Sequence, residues 1–170
     1  MSADITDTIR VATGHCALGA ILVAASGKGV CAILLGDHPD PLMQDIETRF
    51  SDATLAAGDD DTGRLLAQVA RFVEAPGQGL DMPLDLRGTP FQQRVWQALR
   101  DIPAGTTVSY GTIAARIGEP RAALDVAEAC AANPLAVAVP CHRVVRANGA
   151  ISGYRWGVKR KRALLQREAA

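Results

Sequence analysis

Ser109-Tyr110-Gly111-Thr112-Ile113-Ala114-Ala115-Arg116-Ile117-Gly118-Glu119-Pro120 is the stretch around which the chain can be read. Ser109 suits a helix N-cap, because its hydroxyl can accept from a free amide of the first turn. The helix it opens is expected over residues 110–117, and Gly118 ends it. Pro120 then opens the next helix, since a residue without an N–H costs least there. That helix is expected to reach Ala132, where Asn133-Pro134 breaks it. Two short helices joined by a tight glycine turn make a helix-turn-helix pattern, although many such hairpins bind nothing.

Working toward the amino terminus, Thr89 caps a helix beginning at Pro90, with Phe91, Val95, Trp96 and Leu99 as its buried stripe. Ile102-Pro103-Ala104-Gly105 stops it. The first third reads differently. Residues 20–25 and 30–35 are apolar runs separated by Ser26-Gly27-Lys28-Gly29, a hairpin. Helices are expected over 41–50 and 62–74, a loop over 51–61, and a last short strand over 80–86, with Ala75-Pro76-Gly77-Gln78-Gly79 ending the second helix. A domain boundary is expected at 85–88, giving residues 1–87 and 88–170.

Composition excludes several classes. Of 170 residues, 48% are hydrophobic and 21% charged, which fits a globular protein and not a disordered tail. No apolar run approaches the roughly 20 residues a membrane helix needs. Met1-Ser2-Ala3-Asp4-Ile5-Thr6-Asp7 carries acid where a signal peptide carries base, so a cytoplasmic location is expected. The four cysteines, Cys16, Cys31, Cys130 and Cys141, form no C-x-x-C pair, and His15, His38 and His142 are scattered, so no metal site is expected. Cys16, Cys31 and Cys130 read as small buried hydrophobes.

Net charge is zero, but the distribution is uneven. Acids dominate from Asp37 to Asp61. Nearly every charge from Arg143 to Arg167 is positive, which suits either a surface that meets phosphates or a merely solvated basic helix.

Beyond Asn133, residues 135–139 read as an extended apolar segment leading to Pro140-Cys141-His142-Arg143-Val144-Val145. An imidazole and an arginine beside a thiol favour its ionised, nucleophilic form. A lone Cys-His dipeptide is nonetheless more often structural than catalytic.

The surrounding residues reverse that prior. Gly88-Thr89-Pro90-Phe91-Gln92, Val95-Trp96, Ile102-Pro103-Ala104-Gly105, Ser109-Tyr110, Asn133, Pro140-Cys141-His142-Arg143-Val144 and Ser152-Gly153-Tyr154-Arg155-Trp156-Gly157 resemble, in order and spacing, the O6-alkylguanine-DNA alkyltransferase family, and within it the carboxyl-terminal half of bacterial Ada. The resemblance is strong over the last half of the chain and looser before it.

It implies an α+β fold: a ribonuclease-H-like domain followed by a winged-helix-like domain. It implies double-stranded DNA carrying O6-alkylguanine (or O4-alkylthymine) as partner, no cofactor, and a monomer. A flipped base would enter a pocket. Cys141 would take the alkyl group once and irreversibly. His142 would accept the thiol proton through water, and Glu168, nominated by resemblance and not by spacing, would orient it. Tyr110 would donate to the departing base, and Asn133 would hold the turn before the cysteine. Backbone groups near Val144 and Arg155, with Ser152, would bind the base. Trp156 would either narrow the pocket mouth or simply pack. Ser109, Arg121, Ala122, Ala123, Leu124, Asp125 and Arg143 would meet DNA.

The recognition helix departs from the family pattern. Leu124 stands where that pattern has an arginine, and Asp125 where it has a small residue. On a helical wheel Ala122, Val126, Ala129 and Cys130 form one face and Arg121, Leu124, Asp125 and Glu128 the other, with an Arg121–Asp125 pair expected at i,i+4. Either Leu124 acts as an apolar wedge, or the acids weaken duplex binding while the cysteine stays reactive. The second is favoured here. A regulatory DNA-binding module would lack the cysteine, and a cysteine hydrolase would draw its histidine from a distant part of the chain.

Overall fold

The two apolar runs of the first third pair as an antiparallel hairpin, β2 (Gly19–Ser26) with β3 (Gly29–Gly36). Residues 20–24 of β2 and 30–35 of β3 are all buried, which is why they read as continuous runs and not as alternation. Gly29 closes the turn at φ 149°, and a side chain there would meet the Pro83 carbonyl oxygen at 2.6 Å. The computed structural model describes residues 8–76 and 80–169. Met1–Asp7, whose acids bear on localisation, and Gly77-Gln78-Gly79, expected to complete a helix stop, lie outside them.

The chain divides into two units. One holds the described residues up to Glu74 with Leu80–Leu86; the other holds Ala75, Pro76 and everything from Arg87. The first is a four-stranded sheet in the order β3-β2-β1-β4. β1 (Thr8–Cys16) is antiparallel to β2, and β4 (Thr54–Ala57) is parallel to β1. α1 (Pro39–Arg49) packs on β2 and β3; α2 (Asp60–Glu74) packs on β1 and β2 through Val69, Phe72 and Val73.

In this unit one strand is unforeseen and two expectations fail. β1 carries polar residues on every exposed position and gives no apolar run to notice. β4 replaces part of the loop expected over 51–61; an edge strand of small residues needs only the register Ile9↔Leu55 to form. The strand expected over 80–86 shrinks to one bridge, Leu84 to Val30. Pro83 has no N–H to extend that ladder, although its carbonyl accepts from Val30 N at 2.9 Å.

The second unit is mainly helical. α3 (Pro90–Arg100) opens with a reciprocal capping box, Thr89 Oγ1 accepting from Gln92 N and Gln92 Oε1 accepting from Thr89 N. Its Trp96 is buried and donates from Nε1 to the Ala129 carbonyl at 2.9 Å, fixing α3 against α5 (Ala123–Ala131). Ser109 caps α4 (Tyr110–Arg116) through Thr112 N, and Gly118 turns the chain at φ 80°. β5 (Val108–Ser109) runs parallel to β6 (Val144–Val145). A 3-10 turn spans Cys141–Arg143, and α6 (Val158–Ala169) follows.

Here too the sequence misleads twice. α5 begins at Ala123, not at Pro120: residues 120–121 form a turn closed by Ala122 N donating to Glu119 O at 2.9 Å. Arg121 therefore precedes the helix, and no ion pair joins it to Asp125 among the described residues. Residues 135–139, buried except for the half-buried Ala138, are coiled and not extended, with Val139 N donating to Leu135 O and Val137 at φ 60°. A β-branched residue in that region is strained, and the turn it makes swings the chain into the cysteine.

Candidate active site

Cys141 lies in the wall of a cavity of about 650 Å³, a size suited to a small ligand. α5 supplies Ala123, Leu124, Ala127, Cys130 and Ala131; Tyr110 comes from α4; Arg146, Ser152, Gly153, Tyr154 and Arg155 come from the loop after β6. The small side chains of α5 leave the space that larger ones would fill. Leu124 stands at the rim, 83% exposed.

The cysteine is held from behind by Asn133, which is fully buried. Its Oδ1 accepts from Leu135 N at 2.8 Å, and its Nδ2 donates to Val139 O at 2.9 Å and to Cys141 Sγ at 3.3 Å. One amide thus ties both ends of the coiled segment and touches the sulfur. Burial pushes the Cys141 thiol upward, against that hydrogen bond and the charges of Lys161 and Arg155. Desolvation thus outweighs the nearby cations, against the expectation that the neighbouring imidazole and arginine favour the ionised form.

His142 and Glu168 are brought together across 26 residues, with Nε2 to Oε2 at 2.7 Å. Burial would raise the Glu168 carboxyl, but hydrogen bonds from His142 and Arg143 outweigh it and hold it at about 2. Burial also lowers His142. A neutral imidazole facing a carboxylate carries its proton on Nε2, so Nδ1 is a bare lone pair. That Nδ1 is buried without a hydrogen-bond partner, as is the Tyr154 hydroxyl.

Arg143 is not at a DNA-facing surface. It is buried, donating from Nε and Nη2 to Glu168 at 2.9 and 2.8 Å and from Nη1 to Ile102 O at 2.6 Å. A guanidinium with both its planar edges occupied inside the protein cannot reach a phosphate. Val144 does not line the cavity: its N–H donates to Cys141 O and its carbonyl accepts from Lys161 Nζ at 2.7 Å. Trp156 packs. It is buried behind the cavity, edge-on to Tyr154 at 5.3 Å and beneath the Arg155 guanidinium at 5.4 Å. Ser109 spends its hydroxyl on its helix cap.

The other expected residues are at hand. Tyr110 and Ser152 share a hydrogen bond between their hydroxyls. Arg155 lines the cavity and donates from Nη1 to Asn133 O at 3.0 Å. Ala122 is the N-cap of α5, and Asp125 and Glu128 are exposed beside a second depression that also holds Glu119.

Sequence reasoning missed Lys161, which sat in a basic run read as surface. It is 1% exposed, with Nζ donating to Val144 O and, at 3.0 Å, to Ser152 Oγ. The signal was present: Lys161, Leu164 and Glu168 fall three and four residues apart on one face of α6. Cys130 is buried as expected but also lines the cavity, its thiol pushed up by burial and then by the nearness of Cys141. Among the described residues no cluster of three or more His, Cys, Asp or Glu could hold a metal, and no helix is long and apolar enough to cross a membrane.

Comparison with known proteins points one way. Residues 90–170 match the model of the 6-O-methylguanine DNA methyltransferase, DNA binding domain. The bifunctional transcriptional activator/DNA repair enzyme Ada of Escherichia coli is 51% identical over 161 residues, 95% of this chain and 46% of Ada. The chain thus spans about half the length of the curated relatives it matches. Among solved structures, OGT of Mycobacterium tuberculosis in complex with DNA is 38% identical, with a TM-score of 0.77 over 95% of this chain and 92% of that one. The O6-methylguanine methyltransferase of the same organism is 39% identical, also with a TM-score of 0.77, over 95% and 93%. On this evidence the chain belongs to the O6-methylguanine DNA methyltransferase family.

Proposed function

We propose that this protein repairs DNA by moving the alkyl group of an O6-alkylguanine, flipped out of a duplex, onto Cys141 in one irreversible turnover. One observation carries the reading: a thiol lies in the wall of a cavity with room for a purine base while an imidazole with a bare buried nitrogen, oriented by a carboxylate, follows it in the chain. His142 Nδ1 takes the thiol proton through water as sulfur attacks the alkyl carbon, and the guanine oxygen leaves with the bonding electrons. Glu168 steadies the imidazolium that forms, and Tyr110 donates its proton to the departing base. Arg155 and Ser152 border the base, and Asn133 fixes the sulfur. The product thioether has no leaving group, so each molecule acts once and needs no cofactor. The first unit, with β4 parallel to β1 in an otherwise antiparallel sheet, fits the ribonuclease-H-like pattern; α4 and α5 with the β5–β6 pair fit the winged-helix one. A cytoplasmic monomer suits this chemistry.

The exposed face of α5 supports a second reading, in which duplex binding is weak and small alkylguanines react readily. Leu124, Asp125 and Glu128 all project there, and carboxylates facing phosphates forfeit the electrostatic attraction that supplies most non-specific affinity. Incubation with O6-benzylguanine followed by intact mass measurement tests the chemistry. A stoichiometric benzyl gain lost in Cys141→Ala is expected; no gain, or turnover beyond one equivalent, overturns it. Parallel reactions with an O6-methylguanine duplex separate the two readings.

A further inference from the structure

The proposed reaction needs two protons handled at opposite sides of the cavity, and only one side is explained by His142 and Glu168. At the other, Lys161 Nζ donates to Ser152 Oγ at 3.0 Å, and Ser152 shares a hydrogen bond with the Tyr110 hydroxyl. Lys161 is anchored in turn by the carbonyls of Val144 at 2.7 Å and Gly153 at 3.4 Å. A lysine 1% exposed with no carboxylate partner among the described residues is costly to bury, so a structural role alone is poorly served by it.

We propose that Lys161 and Ser152 are positioning residues that orient and polarise the Tyr110 hydroxyl for proton delivery to the departing base. The inference rests on the reading of Tyr110 as that donor and extends it. Because Lys161 can only donate, it occupies a lone pair of Ser152 Oγ and frees the serine hydrogen to turn toward Tyr110 Oη. As the C–O6 bond breaks and the S–C bond forms, the Tyr110 proton passes to the base. The phenolate oxygen so created accepts from Ser152, whose oxygen leans on the ammonium. Burial lowers the Lys161 pKa, which makes its N–H groups stronger donors. The thiol proton leaves separately through His142, so one proton is lost at sulfur and one gained by guanine.

The test compares two benzyl donors on the full chain. O6-benzylguanine needs its leaving group protonated; benzyl bromide, which releases bromide, does not. Ser152→Ala and Lys161→Met are expected to slow benzylation of Cys141 by O6-benzylguanine about tenfold or more, within the usual range for general acid catalysis. Ser152→Ala should leave the benzyl bromide rate at Cys141, followed by peptide mass mapping, within about twofold, since that arm bypasses the donor altogether. Lys161→Met, which also removes a charge that favours the Cys141 thiolate, should slow the O6-benzylguanine reaction more than the benzyl bromide one. The double variant should be no slower than the slower single one, because the residues act as a unit. Equal slowing with both donors, or independent effects that multiply, overturns the proposal. Should Lys161→Met fail to fold by circular dichroism, Ser152→Ala decides alone. A wild-type protein inert to O6-benzylguanine but alkylated by benzyl bromide would instead sink the proposed function itself.

Discussion

Arg143 and Arg121 are 22 positions apart in one unit and have opposite fates. Arg143 is buried, with both edges of its guanidinium occupied by Glu168 and the Ile102 carbonyl. Arg121 is exposed in the turn ahead of α5 and makes no ion pair with Asp125. The same contrast runs through the whole site: behind the cysteine, His142, Arg143 and Glu168 form a closed network of charges, while on the face of α5 charges stand singly in solvent. Inward charges here hold geometry, and outward ones can only tune association. Neither role can be read from charge counts.

The largest effect should come from opening the inward network. Arg143→Ala strands the Glu168 carboxylate beside a neutral imidazole and should cost about 3–5 kcal/mol, measured by urea unfolding. A loss below about 1 kcal/mol would show that water reaches the site and the pair is not buried in solution.

Acid should act next. Glu168, at about 2 in the folded protein against an ordinary 4.5, contributes stability that is complete above 4.5 and lost as the pH falls toward 2. His142 lies below its ordinary 6.5, so the unfolded chain binds that proton first and stability declines as the pH drops through 6.5. Unfolding midpoints across this range should show both limbs, and Glu168→Gln should flatten the lower one.

On the outward face, Leu124→Arg with Asp125→Ala should tighten duplex binding about tenfold at low salt and steepen the salt slope by one to two, read by fluorescence anisotropy. An unchanged slope would mean that α5 does not approach phosphates. Smallest of all, Arg121→Ala should shift stability by less than about 0.5 kcal/mol.

The hairpin, the capped helix at Thr89 and the cysteine motif were legible because each is decided locally: by an unbroken apolar run, by a cap and a proline, by adjacent residues. What stayed hidden depended on distant partners. β4 exists only because β1 offers it an edge. The helix expected from Pro120 starts late because Glu119 O captures Ala122 N first. Arg143 and Lys161 looked like surface cations because nothing near them in the chain announces Glu168 or the Val144 carbonyl. Trp156 reads equally as gate or packing residue in the sequence because its neighbours, the edge of Tyr154 and the guanidinium of Arg155, are set by the folded loop.

Glu168 sits in the last turn of α6, where helices fray most readily. A brief unwinding of that single turn would withdraw the carboxylate, release the imidazole and loosen Arg143, all without disturbing the rest of the molecule. In the proposed reaction, reactivity at the sulfur then becomes a gauge of how firmly one helical end is fastened: whatever clamps it speeds alkyl transfer, and whatever tugs it loose silences a protein that still looks folded.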